Sequence, residues 1–238
     1  MSDLCKLRNL AGVSGEPHHN NLMNFETART QMLGQQIRAW DVLDDRVLGV
    51  FRDTPREFFV PQEYRDLAFA DTEIPLGHGQ VMMAPKIEGR LLQALNITPI
   101  DTVLEVGTGS GYLSACLARL AQTVLSVDVH AEFTADAGAK LAELGIENVE
   151  IANQDALTMQ EPARFDVVAV TASVPTLDDH FARMLKPRGR LFIVVGRPPI
   201  MEAKLVTMHP DGQWTEDSLF ETLLTPLENL QHEAPFLL

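Results

Sequence analysis

The chain has 238 residues, enough for one α/β unit with an elaboration or for two small units, and its 45% hydrophobic content supplies a core. A formal net charge of −14 without a Lys/Arg cluster excludes a nucleic-acid partner gripped through its phosphates. No stretch approaches the ~18 apolar residues of a membrane span, and the start shows no signal-peptide apolar core. The cysteines, Cys5 and Cys116, are far apart in sequence, so a disulfide framework and a CxxC metal site are not expected; the expected compartment is the cytoplasm. Cys116 reads as a small buried apolar residue.

Residues 1–22 read as a loose polar tail. Its pair His18-His19 reads as part of that tail rather than a metal site, because adjacent histidines share no helix face and no acid partner is evident; no metal is expected. Phe25, Ala28, Met32, Leu33 and Ile37 form one helical stripe with Asn24 as N-cap. A second helix starts at Asp44, buries Val47, Leu48 and Phe51, and stops before Pro55. Phe58 to Pro61 is an apolar anchor, and a short strand is expected near Ile74. Gly77 to Pro85 reads as a loop running into a helix that buries Ile87, Leu91, Leu92 and Leu95. Within that loop Val81-Met82-Met83 suits core packing or a ligand wall.

The centre of the chain is Thr102 to Asp128. Thr102–Val106 is a buried parallel strand by pattern, followed by Gly107-Thr108-Gly109-Ser110-Gly111, a helix over Tyr112–Ala121, and a strand Thr123–Val127 ending at Asp128. Glycines let the backbone turn sharply and let a ligand lie against it. An acid roughly 20 residues beyond such a loop accepts ribose hydroxyls. Glu105 stands two residues before the first glycine. NAD brings a pyrophosphate that wants a bare helix N-terminus. S-adenosylmethionine brings a sulfonium and an ammonium, which suit an acid at the mouth of the loop.

Beyond Asp128 the pattern gives a helix over 131–144 capped by Gly145, a strand at 149–152, a strand at 165–170, a helix over 176–185 and a strand at 190–195. Residues 203–208 and 219–226 are expected as an antiparallel extension around the turn at Pro210-Asp211-Gly212. Asp155, after the third strand, fits either an adenine crevice or a turn cap.

Several blocks now carry a resemblance. Leu104-Glu105-Val106-Gly107-Thr108-Gly109-Ser110-Gly111-Tyr112 with Asp128 resembles motif I and its acidic partner in S-adenosylmethionine-dependent methyltransferases. Gln35-Gln36-Ile37-Arg38, Pro55-Arg56-Glu57-x-Phe59-Val60-Pro61, Gly77-His78-Gly79-Gln80, Ala84-Pro85, Val170-Thr171-Ala172 and Leu185-Lys186-Pro187-x-Gly189 resemble, more specifically, the protein-L-isoaspartate O-methyltransferase family. The match spans about Phe25 to about Leu230. The resemblance implies an α/β, Rossmann-like seven-stranded methyltransferase fold with an N-terminal helical elaboration. It implies a division into 1–22, an elaboration with the acceptor loop over 23–95, and a core over 96–238. It also implies S-adenosyl-L-methionine as cofactor, bound by Glu105, Gly107, Thr108, Gly109, Gly111, Asp128 and Asp155.

One block departs from the family pattern. After Gly-x-Gly-Gln the family carries Thr-Ile-Ser, whose hydroxyls serve the carboxylate acceptor; here stand Val81, Met82 and Met83, and the histidine after Ala-Pro is Lys86. The acceptor-side candidates are therefore Val81 and Met83 themselves, with the backbone N–H groups at the Pro85 helix start, Thr171 and Ser173 in their loop, and Lys86 as remaining donors. Three readings follow: an isoaspartyl methyltransferase with a rearranged acceptor site, a methyltransferase for a less polar acceptor, and a cofactor-binding interaction protein without turnover. The partner is accordingly a protein or peptide substrate or a small acceptor, with no nucleic acid and no membrane.

Overall fold

The computed structural model describes residues 24–230. The expectations for the tail at 1–22, with its histidine pair and Cys5, lie outside the described residues.

The first helical segment forms as expected. Asn24 accepts the Thr27 N–H at 3.1 Å and starts α1 (Phe25–Gln31), which passes into a π-helical stretch Met32–Ile37 and a 3-10 turn Arg38–Trp40. Asp44 caps α2 (Asp45–Asp53), which buries Val47, Leu48, Val50 and Phe51. The short α3 (Arg56–Phe59) follows Pro55, with Phe59 fully buried.

The segment after it is not a plain loop. It is a hairpin of β1 (Ile74–Gly77) and β2 (Gln80–Met82), paired Ile74 to Met82 and turning at His78-Gly79. Pro85 then opens α4 (Pro85–Leu95).

A seven-stranded sheet carries the rest. Its strands are β3 (Thr102–Val106), β4 (Thr123–Asp128), β5 (Val149–Asn153), β6 (Phe165–Val174), β7 (Leu185–Arg197), β8 (Ile200–Met208) and β9 (Trp214–Glu221), in spatial order β5-β4-β3-β6-β7-β8-β9. The first five are parallel, and β8 and β9 close the sheet antiparallel. Between β3 and β4 lies α5 (Tyr112–Ala118), and between β4 and β5 lies α6 (Ala131–Glu143). The chain steps outward from β3 to β5 and then returns to β3's other side with β6. That reversal opens a crevice at the carboxyl ends of the strands.

Alternation along the strands splits the core. Val103, Val167, Ala169, Phe192 and Val194 join the helices and the hairpin in one cluster; Leu104, Val168, Val170, Leu191 and Ile193 form another on the opposite face.

Three expectations are corrected. The helix expected over 176–185 is only a 3-10 turn, Ala182–Met184. The N–H groups of Ala163 and Arg164 bond the carbonyls of Arg183 and Met184, both at 2.9 Å, which ties this turn to the segment before β6. Strand β6 runs on through Val174 with a bulge between Ala169 and Ser173, because the segment near Thr225 pairs with Ser173: its N–H reaches Thr225 O at 2.9 Å, and its carbonyl accepts from Leu227 at 2.8 Å. The last strand is Trp214–Glu221 rather than 219–226; it follows the turn directly, with Met208 opposite Trp214. It forms the sheet edge, and Thr215 to Ser218 are exposed.

Arg56 joins the N-terminal segment to the wall of the crevice. It is 1% exposed, pairs with Glu88, and donates to Ala68 O at 2.8 Å and Met83 O at 2.7 Å, while the Tyr112 ring covers it at 4.6 Å. Removing one member of a buried pair strands the other charge, at about 3–5 kcal/mol. Arg56→Met should lose that much stability in urea unfolding at pH 8; a loss below about 1 kcal/mol would show the pair is not needed.

Candidate functional site

The crevice is a cleft whose atom-free space, about 820 Å³, runs out into open solvent. Its floor is the glycine loop, with Val106 and Val127 beneath; its outer wall is the hairpin, through Leu76 and Gln80 to Met83. The far side holds Gln154, Asp155 and Ala156, and Pro226 to Glu228 close over the top.

Gly107, Thr108 and Gly109 line the cleft as the sequence led one to expect. At Gly107, with φ +97, a Cβ would meet Thr171 Oγ1 at 2.2 Å. Gly111, with φ +83, caps α5 from beneath, where a Cβ would meet Ala137 at 2.8 Å; it shapes the loop without lining the cleft.

Asp128 holds this loop. Its Oδ2 accepts the Gly109 N–H at 3.0 Å and its Oδ1 the His130 N–H at 2.9 Å. A carboxylate has roughly four acceptor sites, so Asp128 keeps capacity for ribose hydroxyls. Asp155 lines the cleft and is also a cap: its Oδ1 accepts from Leu157 N–H and its Oδ2 from Asn229, both at 2.9 Å. Both readings of Asp155 thus describe the same side chain.

Glu105 sits beneath the loop rather than at its mouth. It is 0% exposed and does not line the cleft. Ser126 donates to its Oε2 at 2.6 Å and Ser114 donates to the same oxygen, while Oε1 has no partner. Burial pushes its carboxyl up to about 8, against the pull of the two serine hydroxyls. Glu88, which the sequence reading did not single out, does line the cleft. Burial pushes it up to about 7, opposed by Arg56.

The acceptor-side candidates separate. Val81 and Met83 line the cleft, together with Met82; Met82 and Met83 are buried, so the run serves both packing and the wall. Thr171 also lines it, but its hydroxyl donates to Val106 O at 2.9 Å and Gly107 O at 3.1 Å. Ser173 is enclosed, donates to Leu224 O at 2.9 Å, and is not at the cleft. Lys86 pairs with Asp71 at 2.8 Å, lies 4.3 Å from the Trp40 ring, and also lies outside the lining.

At the mouth, the hairpin turn is clasped to the segment after β4. The His78 and His130 rings stack at 4.3 Å, and Glu228 Oε1 receives Gln80 Nε2 at 2.7 Å and faces His130 Nε2 at 2.8 Å. Those hydrogen bonds hold the Glu228 carboxyl below its ordinary value. His78, His130 and Glu132 bring possible metal-ligand atoms within 4.8 Å of one another.

The charged lining decides which nucleotide fits. It contains Glu88, Asp128, Asp155 and Glu228 and no Lys or Arg. That set repels a pyrophosphate and attracts a sulfonium bearing an ammonium.

The model of the protein-L-isoaspartate(D-aspartate) O-methyltransferase family matches residues 27–232. The chain belongs to that family. It is an S-adenosylmethionine-dependent methyltransferase. Among its relatives, the Koribacter versatilis protein-L-isoaspartate O-methyltransferase is 36% identical over 216 residues, covering 90% of this chain and 97% of the relative. The Methylorubrum extorquens protein of the same name is 40% identical over 172 residues, covering 72% and 75%. The fold agrees with a Plasmodium falciparum putative protein-L-isoaspartate O-methyltransferase solved with S-adenosyl-L-homocysteine: TM-score 0.73, 20% identity, 86% of this chain and 98% of that one. Among the described residues no helix is long and apolar enough to cross a membrane.

The family member's buried Glu105 has a measurable signature. In the folded protein it keeps its proton up to about pH 8, against 4.5 for an ordinary glutamate. The folded state therefore binds more protons between those values, and stability falls as pH rises through them, by up to about 1.4 kcal/mol per pH unit. Glu105→Gln cannot ionise and should flatten that fall. Urea unfolding at pH 5.5 and 8.5 should show the wild type losing more stability than the variant; equal losses would mean Glu105 is ionised in the fold.

Proposed function

We propose that the protein transfers the methyl group of S-adenosylmethionine to the free carboxylate of isoaspartyl residues in proteins and peptides. The observation that carries this reading is the family match over residues 27–232. In the proposed site Gly107, Thr108 and Gly109 cradle the donor, with Gly111 shaping the turn. Asp128 accepts the ribose hydroxyls, Asp155 flanks the adenine side, and Glu105 braces the loop from below. A cytoplasmic location fits a buried, unpaired Cys116.

The bound cofactor supplies a methyl group already activated on a sulfonium. An acceptor carboxylate with a reference pKa of ~4 arrives deprotonated, so no general base is required. What remains for the protein is in-line positioning and exclusion of water. The enclosing wall of Leu76, Val81, Met82 and Met83 does the second. An acceptor carboxylate also needs donors, or its desolvation is costly. The Thr171 hydrogen is already committed to carbonyls, and Ser173 and Lys86 lie outside the lining. Gln80 lines the cleft and gives one amide hydrogen to Glu228, which leaves its second for the acceptor.

A second reading, a less polar acceptor, is supported by apolar Val81 and Met83 lining the cleft, at positions where the resemblance leads one to expect hydroxyls.

Methyl-labelled S-adenosylmethionine, offered with an isoaspartyl peptide and separately with a cell lysate, tests these readings. Label in the peptide is the expected result. Label confined to lysate components would favour the less polar acceptor, and cofactor binding without transfer would point to an interaction protein. The double variant Val81→Thr, Met83→Ser should raise peptide turnover while leaving cofactor affinity unchanged. The gain should fall short of the ~2.7–4 kcal/mol that one transition-state donor is worth, because Gln80 already offers the acceptor a donor. A wild type that is unimproved by the hydroxyls would show they are not needed. Asp128→Ala should weaken S-adenosylhomocysteine binding roughly tenfold to hundredfold by calorimetry; unchanged affinity would remove Asp128 from the site.

A further inference from the structure

We propose that Glu88 is the group that binds the ammonium of the cofactor's amino-acid tail. The inference rests on the donor reading above and assigns the end of the cleft which that reading leaves without a partner.

The order of the strands sets the direction in which the donor lies. Asp155 follows β5, Asp128 ends β4, the glycine loop follows β3, and Thr171 lies on β6. Helix α4 packs on β6 and β7, on the other side of β3 from both aspartates. A donor with its ribose on Asp128 and its adenine towards Asp155 therefore sends its amino-acid tail across the glycine loop towards α4. The charged side chain that α4 brings to the lining there is Glu88.

The surroundings of Glu88 suit a cation. The residue is 2% exposed, and its Oε2 is fixed by Arg56. Among the described residues no hydrogen bond reaches Oε1, yet Oε1 is not among the enclosed unpartnered atoms, and Glu88 lines the cleft. One oxygen is thus clamped from behind and the other is free to accept. An ammonium in front makes a charge-assisted hydrogen bond, which is short and strong in a closed site. It also balances a carboxylate that burial otherwise disfavours as an anion. Glu105 cannot serve instead, because it is sealed beneath the loop with its Oε2 taken by two serines.

Calorimetric titration with two ligands tests the assignment. S-adenosylhomocysteine carries the amino-acid tail; methylthioadenosine has the same nucleoside and a thioether but no tail. Glu88→Gln should lower S-adenosylhomocysteine affinity roughly tenfold to hundredfold and leave methylthioadenosine affinity unchanged, and Glu88→Asp should restore part of the loss. An unchanged S-adenosylhomocysteine affinity, or an equal loss for both ligands, would overturn the proposal. A wild type that binds neither ligand would overturn the donor reading itself. If Glu88→Gln does not fold, the wild type is titrated with an S-adenosylhomocysteine analogue that lacks only the amino group. A loss of at least roughly tenfold is expected, and equal affinity would overturn the assignment.

Discussion

The guanidinium of Arg56 is the interaction on which the cleft depends. It is buried where the N-terminal helices, the exit of the hairpin and the start of α4 meet, and each of those segments gives it an acceptor: Ala68 O, Met83 O and Glu88. A planar group with fixed donor directions sets the relative positions of its acceptors as well as holding them together. Fixing the Met83 carbonyl fixes which way the Met83 side chain leaves the backbone, and so fixes the apolar wall. Fixing one oxygen of Glu88 turns the other towards the cleft. The N-terminal elaboration is therefore a structural part of the site, although no described residue before Leu76 lines it.

Much of the fold was legible because the central strands are buried on both faces. Residues 102–106 and 123–128 read as continuous apolar runs, and the glycines between them leave few alternatives. The hairpin at 74–82 was hidden by Gly77-His78-Gly79, which reads as a loop but serves as its turn. The edge strand β9 was hidden by Thr215-Glu216-Asp217-Ser218, polar residues without alternation, because neither face there is covered. The 3-10 turn that stands where a helix was expected over 176–185 is tied to Ala163 and Arg164, far off in the chain, a pairing that no local pattern reveals.

The site was legible in part for a related reason. Loop and ribose acid announce themselves by spacing along one chain segment. Glu88 and Arg56 come together across 32 residues and carry no motif of their own as a pair. A signal was nevertheless present. Glu88 lies three residues before Leu91 and four before Leu92, on the buried stripe of α4. Arg29 lies in the same relation to Met32 and Leu33 and is likewise buried, held bidentately by Glu57. A charge on an apolar stripe is a buried charge, and a buried charge requires a partner. The misplacement of Glu105 has the opposite origin: proximity in sequence to the glycine loop suggested the mouth, but in a strand covered on both faces its side chain points into the protein.

The uncovered edge at β9 has a consequence for the protein in solution. A strand on the rim of a sheet offers its free N–H and C=O groups to any second strand, and charged side chains keep other chains away. Here Glu216 and Asp217 stand on that rim, on a molecule whose net charge is −14 and whose isoelectric point is near 4.8. At neutral pH each copy repels the next. As the medium approaches pH 4.8 the net charge falls towards zero and that long-range repulsion vanishes. Solubility is therefore a property of pH for this chain, and mildly acidic buffers are where colloidal stability is lowest.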